Sequence, residues 1–332
     1  MEITYQRFID HCEVSPYVKE VTITEVTPAD NSDNLECIRF EEMGWNCVSQ
    51  KGLRKVGQKV MFIPAESVLP FELGELLEIT KYLSKGRVRV TKLRGNRSEG
   101  LIVERELIED YLPYIMKWED LPSTAMSGEQ MSPSEVSPYM HRFYKMPNIM
   151  NEPKTFEPDE ELFYSEKIHG ANWRVGKLPH PATEEIQLYC GSHDVVLKDS
   201  ERETVFWRAA KEIKDKLPEG ILFFGEVFGR GIQHLNYGVI FGYRFFAASR
   251  KGIYFSHEEL KEICLKHDLP CVEFFEMKFD SLETVRNLSE GKSSYADHIK
   301  EGIVMVSKKY PERMAKCISF SYLEKDNRTE RH

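Results

Sequence analysis

The sequence predicts an α+β protein in two parts, a small closed β-barrel followed by a larger domain of antiparallel sheets with flanking helices. Three observations predict it. Residues 17–108 hold short segments rich in β-branched and aromatic residues, bounded by Gly, Pro, Asn and Asp. Residues 156–332 alternate such segments with a few helices of 3.6-residue periodicity. Between them, within 109–155, the run "STAMSGEQMSPSEVSPYM" sustains neither element for long and reads as a linker. A chain of 332 residues also exceeds the usual size of one domain.

In the first part the strands are "YVKEVTITEVTP", "LECIRFEEMGWNCVSQ", "GQKVMFIPAESVLP", "RVRVTKLRG" and "EGLIVERE". Five strands in about 90 residues suit an OB-fold, a scaffold that often presents a strand face to nucleic acid. The net charge of −9 argues against a generic nucleic-acid coat, but a local basic face exists in "KGLRKVGQKV" and "KGRVRVTKLRGNR". Alternation of Val88, Val90 and Leu93 with Arg87, Arg89 and Lys92 predicts a half-buried strand with a basic outward side, extended by Arg94.

In the second part "ETVFWRAAKEIKDKL" places Val205, Phe206, Ala209, Ala210, Ile213 and Leu217 on one helical side, and "SHEELKEICLKHDLP" repeats the pattern with Ser256 as N-cap. Around them lie the strands "LFYSE", "EIQLYCGS", "ILFFGEVFG", "VIFGYRFFAAS", "GIYFS", "EGIVMVSK" and "MAKCISFSY".

Composition narrows the class. With 41% hydrophobic and 30% charged residues the chain is globular. No run approaches the roughly 20 apolar residues of a membrane span, and "MEITYQRFIDHCEV" has no signal-peptide regions. The cysteines Cys12, Cys37, Cys47, Cys190, Cys264, Cys271 and Cys317 form no C-x-x-C pair, which argues against a zinc site or disulfide framework. An intracellular monomer away from membranes is expected.

The chemistry lies in charged residues set into apolar strands. Lys167 follows "LFYSE" and precedes His169, Gly170 and Asn172; Glu226 sits in "FFGEVFG"; Glu301 opens "EGIVMV"; Lys316 interrupts "RMAKCISF". Each such insertion costs several kcal/mol unless paired or turned to a ligand or metal. Four in one domain point to a site, although structural ion pairs such as Lys316 with Glu301 would also satisfy them.

In that order these motifs resemble the covalent nucleotidyltransferases, which comprise ATP-dependent RNA and DNA ligases and messenger-RNA capping enzymes. The form "EKIHGAN" resembles RNA ligases, and an OB module in front resembles the Deinococcus and Naegleria type of RNA ligase. The resemblance implies an OB-fold domain over 1–108, a linker over 109–155 and a nucleotidyltransferase, ATP-grasp-like ligase domain over 156–332. It also implies ATP as the adenylyl donor, Mg²⁺ or Mn²⁺, and RNA with 3′-hydroxyl and 5′-phosphate ends, a nick in a duplex, as substrate. Lys167 would take AMP from ATP; its pKa, near ~10.4 unperturbed, would have to be depressed, by Lys316 and by metal beside it. Glu301 would hold the metal, and Glu226 the ribose or a metal-bound water. Phe246, or alternatively Phe245, would stack on adenine opposite Val304 or Ile303. Glu166 would read the adenine amino group, Asn172 would touch phosphate or the RNA end, and His169 is either a site residue or a packed turn histidine. Arg87, Arg89, Lys92 and Arg94 would grip nucleic acid. A GTP-using capping enzyme and a non-catalytic RNA-binding relative are the alternatives.

Three positions depart from that pattern. His193 in "CGSHDVV" stands where an Arg is usual, "FFAAS" lacks an acidic residue, and "KCI" puts Ile318 where a second lysine is usual. The missing phosphate contact would fall to Lys308, Lys309 or Lys325.

Overall fold

A computed structural model describes residues 13–118, 128–200 and 203–329. They form two compact units that interleave along the chain: 13–118, 147–155 and 318–329 in the first, and 128–146, 156–200 and 203–317 in the second.

In the first unit β1 (Lys19–Pro28), β2 (Leu35–Phe40), β3 (Cys47–Gln50), β4 (Lys59–Pro64) and β5 (Gly100–Val103) make one antiparallel sheet in the order β3-β2-β1-β4-β5. Its two edges are stitched together. Glu99 N–H donates to Asn46 O at 2.8 Å, Asn46 N–H to Glu99 Oε2 at 2.9 Å, and Val48 N–H to Ser98 Oγ at 3.2 Å. The sheet is thereby a nearly closed barrel, and edge groups that would otherwise lack partners are satisfied. Val21, Ile23, Ile38, Phe40 and Phe62 are buried, with the Phe40 and Phe62 rings 5.2 Å apart.

Five strands are present, but not the five read from sequence. "LECIRFEEMGWNCVSQ" divides into β2 and β3, and "RVRVTKLRG" contributes no strand to the barrel: Thr91–Leu93 forms a hairpin with Asn96–Ser98, and Arg87 makes isolated bridges to Val68 and Ser84. The basic outward face expected there is corrected accordingly. Arg87 is buried, with its guanidinium 2.7 Å from Glu66 and 4.5 Å from the Trp118 ring centre; Arg89 also faces Glu66, at 3.6 Å, with 8% of its side chain exposed. The reason is that β4 is covered on both faces. Met61 and Ile63 pack against Leu69, Leu73, Val88, Ile108 and Ile115, so Val88 lies within a second core, with Arg87 and Val90 buried beside it and not over solvent. Lys92 and Arg94 are exposed, and Lys92 Nζ lies 3.1 Å from Glu324 on the C-terminal helix Phe320–Thr329.

The Ser- and Pro-rich stretch is anchored by apolar residues that its composition obscures. Ile115 joins the core beside β4; Met140 and Phe143 are buried in the second unit; Trp45 Nε1 donates to Asn151 Oδ1 at 2.5 Å, which ties 147–155 to the barrel. Residues 119–127 of that stretch, and Cys12, lie outside the described residues.

The second unit contains two sheets. One runs β9 (Val196–Leu197), β8 (Ile186–Gly191), β7 (Ala171–Pro179), β10 (Leu222–Phe228), β11 (Gly242–Arg250) and β12 (Ile253–Tyr254); the other runs β13 (Phe275–Lys278), β6 (Glu161–Glu166), β14 (Gly302–Ser307) and β15 (Met314–Ile318). Both predicted helices form, α1 (Val205–Ile213) capped by Thr204 and α2 (His257–Lys266) by a Ser256/Glu259 capping box. A third, α3 (Leu282–Ser289), was not distinguished from the sequence and packs against β14.

Strand alternation divides the six-stranded sheet into two cores. Trp173, Val175, Phe223 and Phe245 point to Phe206, Trp207 and Ala210 of α1 and to Leu260 and Cys264 of α2. Leu222, Phe224 and Phe246 point the other way, to Val304, Val306 and Met314 of the second sheet and to Met140 and Phe143. At about 25 cal/mol per Å² of apolar area, this inter-sheet layer is a principal source of the unit's stability.

Burial of Arg87 gives a test. Arg87→Glu faces Glu66 with a second buried carboxylate and is expected to cost about 3–5 kcal/mol in urea unfolding. Arg94→Glu, in the exposed hairpin, is expected to change stability by less than about 0.5 kcal/mol.

Candidate active site

The site lies where β6 ends and β14 begins, facing the middle strands of the larger sheet. Lys167 continues the β6 pairing by one residue, its N–H donating to Gly302 O at 2.9 Å. Alternation puts Lys167 on the side of Ser165 and Phe163, whose pairing partners Val304 and Val306 face the inter-sheet core. Glu301 then meets it directly, with Lys167 Nζ 2.8 Å from Glu301 Oε1. A quarter of the Lys167 side chain stays accessible (25%) against 11% for Glu301, so the amine is the member of the pair that a ligand can reach.

The turn after Lys167 is set by one close approach. A Cβ at Gly170 would lie 2.3 Å from Val227 O and 2.8 Å from Glu226 Cγ, so only glycine brings this turn against β10. The Gly170 N–H donates to the Glu226 carboxylate. Strand register then sets a polar row across three strands: Asn172 on β7 pairs with Glu226 on β10, and Glu226 with Arg244 on β11. His169 Nδ1 is 3.1 Å from Glu301 Oε2 and its Nε2 is 3.1 Å from His234 Nδ1, while its backbone N–H donates to Tyr237 Oη at 2.7 Å.

Electrostatics follow from burial and proximity. Burial pulls the Lys167 pKa down, but Glu301, followed by Glu226, outweighs burial and raises it above the ordinary lysine value. The two carboxylates that flank Lys167 thus favour its protonated form. Burial pushes Glu301 up, yet Lys167 and His169 dominate and hold its carboxyl at about 2. Glu226 is pushed up to about 8 by burial, against the attraction of Lys167 and with the Glu301 charge adding to the rise.

This donor set fits a divalent cation. Glu226 is a half-buried carboxylate pushed up to about 8, and Asn172 Oδ1 beside it is buried with no hydrogen-bond partner. Among the described residues no group of three or more His, Cys, Asp and Glu is gathered to hold a metal. Two carboxylates and an amide oxygen suit an ion such as Mg²⁺ that keeps most of its waters.

A family model described as RNA ligase matches residues 160–318, from the start of β6 to the end of β15. The fold of the chain is similar to that of the Naegleria gruberi RNA ligase. The structure of that enzyme with pyrophosphate matches at TM-score 0.78 and 20% identity, over 95% of this chain and 100% of that one. A mutant of it with ATP and Mn matches at TM-score 0.79 and 19% identity, over 94% and 99%. No curated protein matches the sequence.

Within the second unit Lys167, His169, Asn172, Glu226 and Glu301 converge. Phe246 and Val304 share the inter-sheet face, whereas Phe245 is fully buried against Trp173 at 5.4 Å and Ile303 is buried on the opposite side of β14, so Phe246 and Val304 are the pair open to a planar ligand. Lys316 projects from the same face of β15 as Met314, which lies in the inter-sheet core. Glu166 points away from Lys167. Its oxygens accept from Ser293 Oγ at 2.5 Å and Ser294 N–H at 2.6 Å, so the carboxylate anchors the loop after α3. Lys308, just past β14, lies six residues from Gly302, which Lys167 pairs with, and itself pairs with Glu276, roughly 20 Å from Lys167 by strand rise. His193 lies beside Asp194 at 3.1 Å in the loop between β8 and β9.

Four residues of the site were not read from the sequence. Arg244, two residues before Phe246, stacks on Tyr295 at 4.5 Å and has a buried Nε without a partner; Gln233, His234 and Tyr237 reach the Lys167 turn from "GRGIQHLNYG". Alternation from Phe246 was the one available signal for Arg244; the loop carried none.

Gly170→Ala forces β10 away from the turn. It is expected to cost about 1–3 kcal/mol by chemical denaturation, and to weaken the Lys167–Glu301 contact.

Proposed function

We propose that this protein is an ATP-dependent RNA ligase that joins a 3′-hydroxyl to a 5′-phosphate through a lysyl-AMP intermediate, with a nick in a duplex as substrate. The observation that carries the reading is Lys167, reachable at a strand end, paired with Glu301 beside Glu226 and facing the Phe246 and Val304 side of the cleft. The fold-related Naegleria gruberi ligase, solved with ATP and Mn, supports ATP and a divalent ion as the groups that enter such a cleft.

In the first step adenine enters between Phe246 and Val304. Lys167 Nζ attacks the α-phosphorus; the N–P bond forms, the bond to the bridging oxygen breaks, and pyrophosphate leaves. The amine must first lose a proton that the two carboxylates help it to keep. Mg²⁺ or Mn²⁺ held by Glu226 and Glu301, directly or through water, and by Asn172 Oδ1 would neutralise that charge and the charge of the transferring phosphoryl group. Lys316, on the same face, would stabilise the phosphate oxygens. AMP then passes from Lys167 to the RNA 5′-phosphate, and the 3′-hydroxyl attacks that phosphate, which seals the strand and releases AMP. In the hairpin after the second core, Arg94 with Lys92 replaces the buried Arg87 and Arg89 as the proposed grip on RNA.

The test is denaturing-gel retention of label from α-labelled ATP with Mg²⁺ or Mn²⁺. Wild type is expected to keep the label and Lys167→Met to lose it. Absence of label on folded wild type with either metal would overturn the reading, and preference for labelled GTP would indicate a capping-type enzyme.

The stacking pair gives a second expectation. Phe246→Ala is expected to raise the KM for ATP about tenfold, an aromatic contact of roughly 1.4 kcal/mol, and to lower the melting temperature less than Phe245→Ala. Phe245→Ala, in the helix-facing core, is expected to cost about 3–5 kcal/mol of stability instead.

A further inference from the structure

Residues 230–238 form a loop between β10 and β11 that closes on the nucleophile's turn. Its neck is fixed by Arg230 N–H donating to Ile240 O at 3.1 Å. Three side chains reach the turn from it: Gln233 Nε2 donates to Gly170 O at 3.4 Å, His234 Nδ1 meets His169 Nε2 at 3.1 Å, and Tyr237 Oη accepts the His169 N–H at 2.7 Å. Tyr237 is itself buried between Phe228, at 4.7 Å, and His298, at 4.6 Å, so its hydroxyl is held in place.

A continuous chain of polar contacts results, from His234 through His169 and Glu301 to Lys167 Nζ. Its donor order can be worked out from one end. An ionised carboxylate only accepts, so Nδ1 of His169 carries the proton toward Glu301. In a neutral ring Nε2 is then an acceptor, and the group facing it from residue 234 must be a donor.

We propose that His234 is a positioning residue for lysine adenylylation: by donating from Nδ1 it selects the His169 tautomer and ring orientation that fix the Glu301 carboxylate in the cleft. The proposal rests on the lysyl-AMP reading above. His234 reaches the reacting amine through two intervening side chains, so its removal misplaces Glu301 without removing a nucleotide contact. The arrangement parallels the outer partners that orient metal-ligating histidines, whose loss costs about 10–100-fold in activity.

The experiment compares His234→Ala, His234→Asn and His234→Asp, after wild type has been shown to form the adduct. Failure of the wild type would sink the lysyl-AMP reading and is thereby separated from failure of the present proposal. The Asn amide places a donor near the position of Nδ1; the Asp carboxylate, of the same shape, places only an acceptor there. Single-turnover labelling at saturating ATP is expected to slow about 10–100-fold in His234→Ala, with the KM for ATP within about threefold of wild type. His234→Asn is expected to recover to within about threefold of wild type, and His234→Asp to remain slow.

A second readout does not depend on turnover. Long-range ¹H–¹⁵N spectra of the histidine rings, assigned with His169→Gln, are expected to show His169 protonated at Nδ1 in wild type and His234→Asn, and a mixed tautomer in His234→Ala. Unchanged labelling by His234→Ala, recovery by Asp as complete as by Asn, or a His169 tautomer indifferent to residue 234 would each overturn the proposal.

Discussion

The second unit depends on keeping charges stable where water is scarce. Lys167, Glu301 and Glu226 occupy one end of an otherwise apolar inter-sheet layer, and an isolated ion there would cost many kcal/mol. The Lys167–Glu301 contact, backed by His169, resolves most of that cost. Much else follows from it: glycine at 170, because the turn must approach β10; the pairing of Glu166 with Ile303, because Lys167 must emerge on the inter-sheet side; and the loop at 230–238, because the turn needs backing. Burial pushes Glu226 up to about 8, and a cation beside it would favour its ionised form.

Two sheets meeting face to face explain how the cleft combines stacking with phosphate chemistry. Alternation gives β11 one aromatic for each side: Phe245 is spent on the helix-facing core, which leaves Phe246 to the cleft. The same alternation turns Glu166 away from Lys167 and lets it secure the loop at Ser293 and Ser294. The barrel applies an analogous rule. Arg87 and Arg89 have run out of solvent because β4 is covered on both faces, and Glu66 supplies the counter-charge.

Features that depend on local chain chemistry were legible in the sequence. The strand periodicity, the two capped helices, and the lysine and glutamates set into apolar strands stand out because alternation and the cost of a buried charge act over a few residues. The α+β class, the nearly closed barrel and the convergence of Lys167, His169, Asn172, Glu226 and Glu301 follow from these signals together with the motif order. Only the tertiary structure decided which faces are covered and which distant groups meet. His169 meets Glu301 across 132 positions and His234 across 65, and neither spacing leaves a periodic trace. Arg87 looked solvent-facing for the same reason: alternation says that neighbours point to opposite sides, but not that both sides are buried. The burial of a side chain and the identity of its partner are set by what folds over it, and that is a property of the assembled sheets.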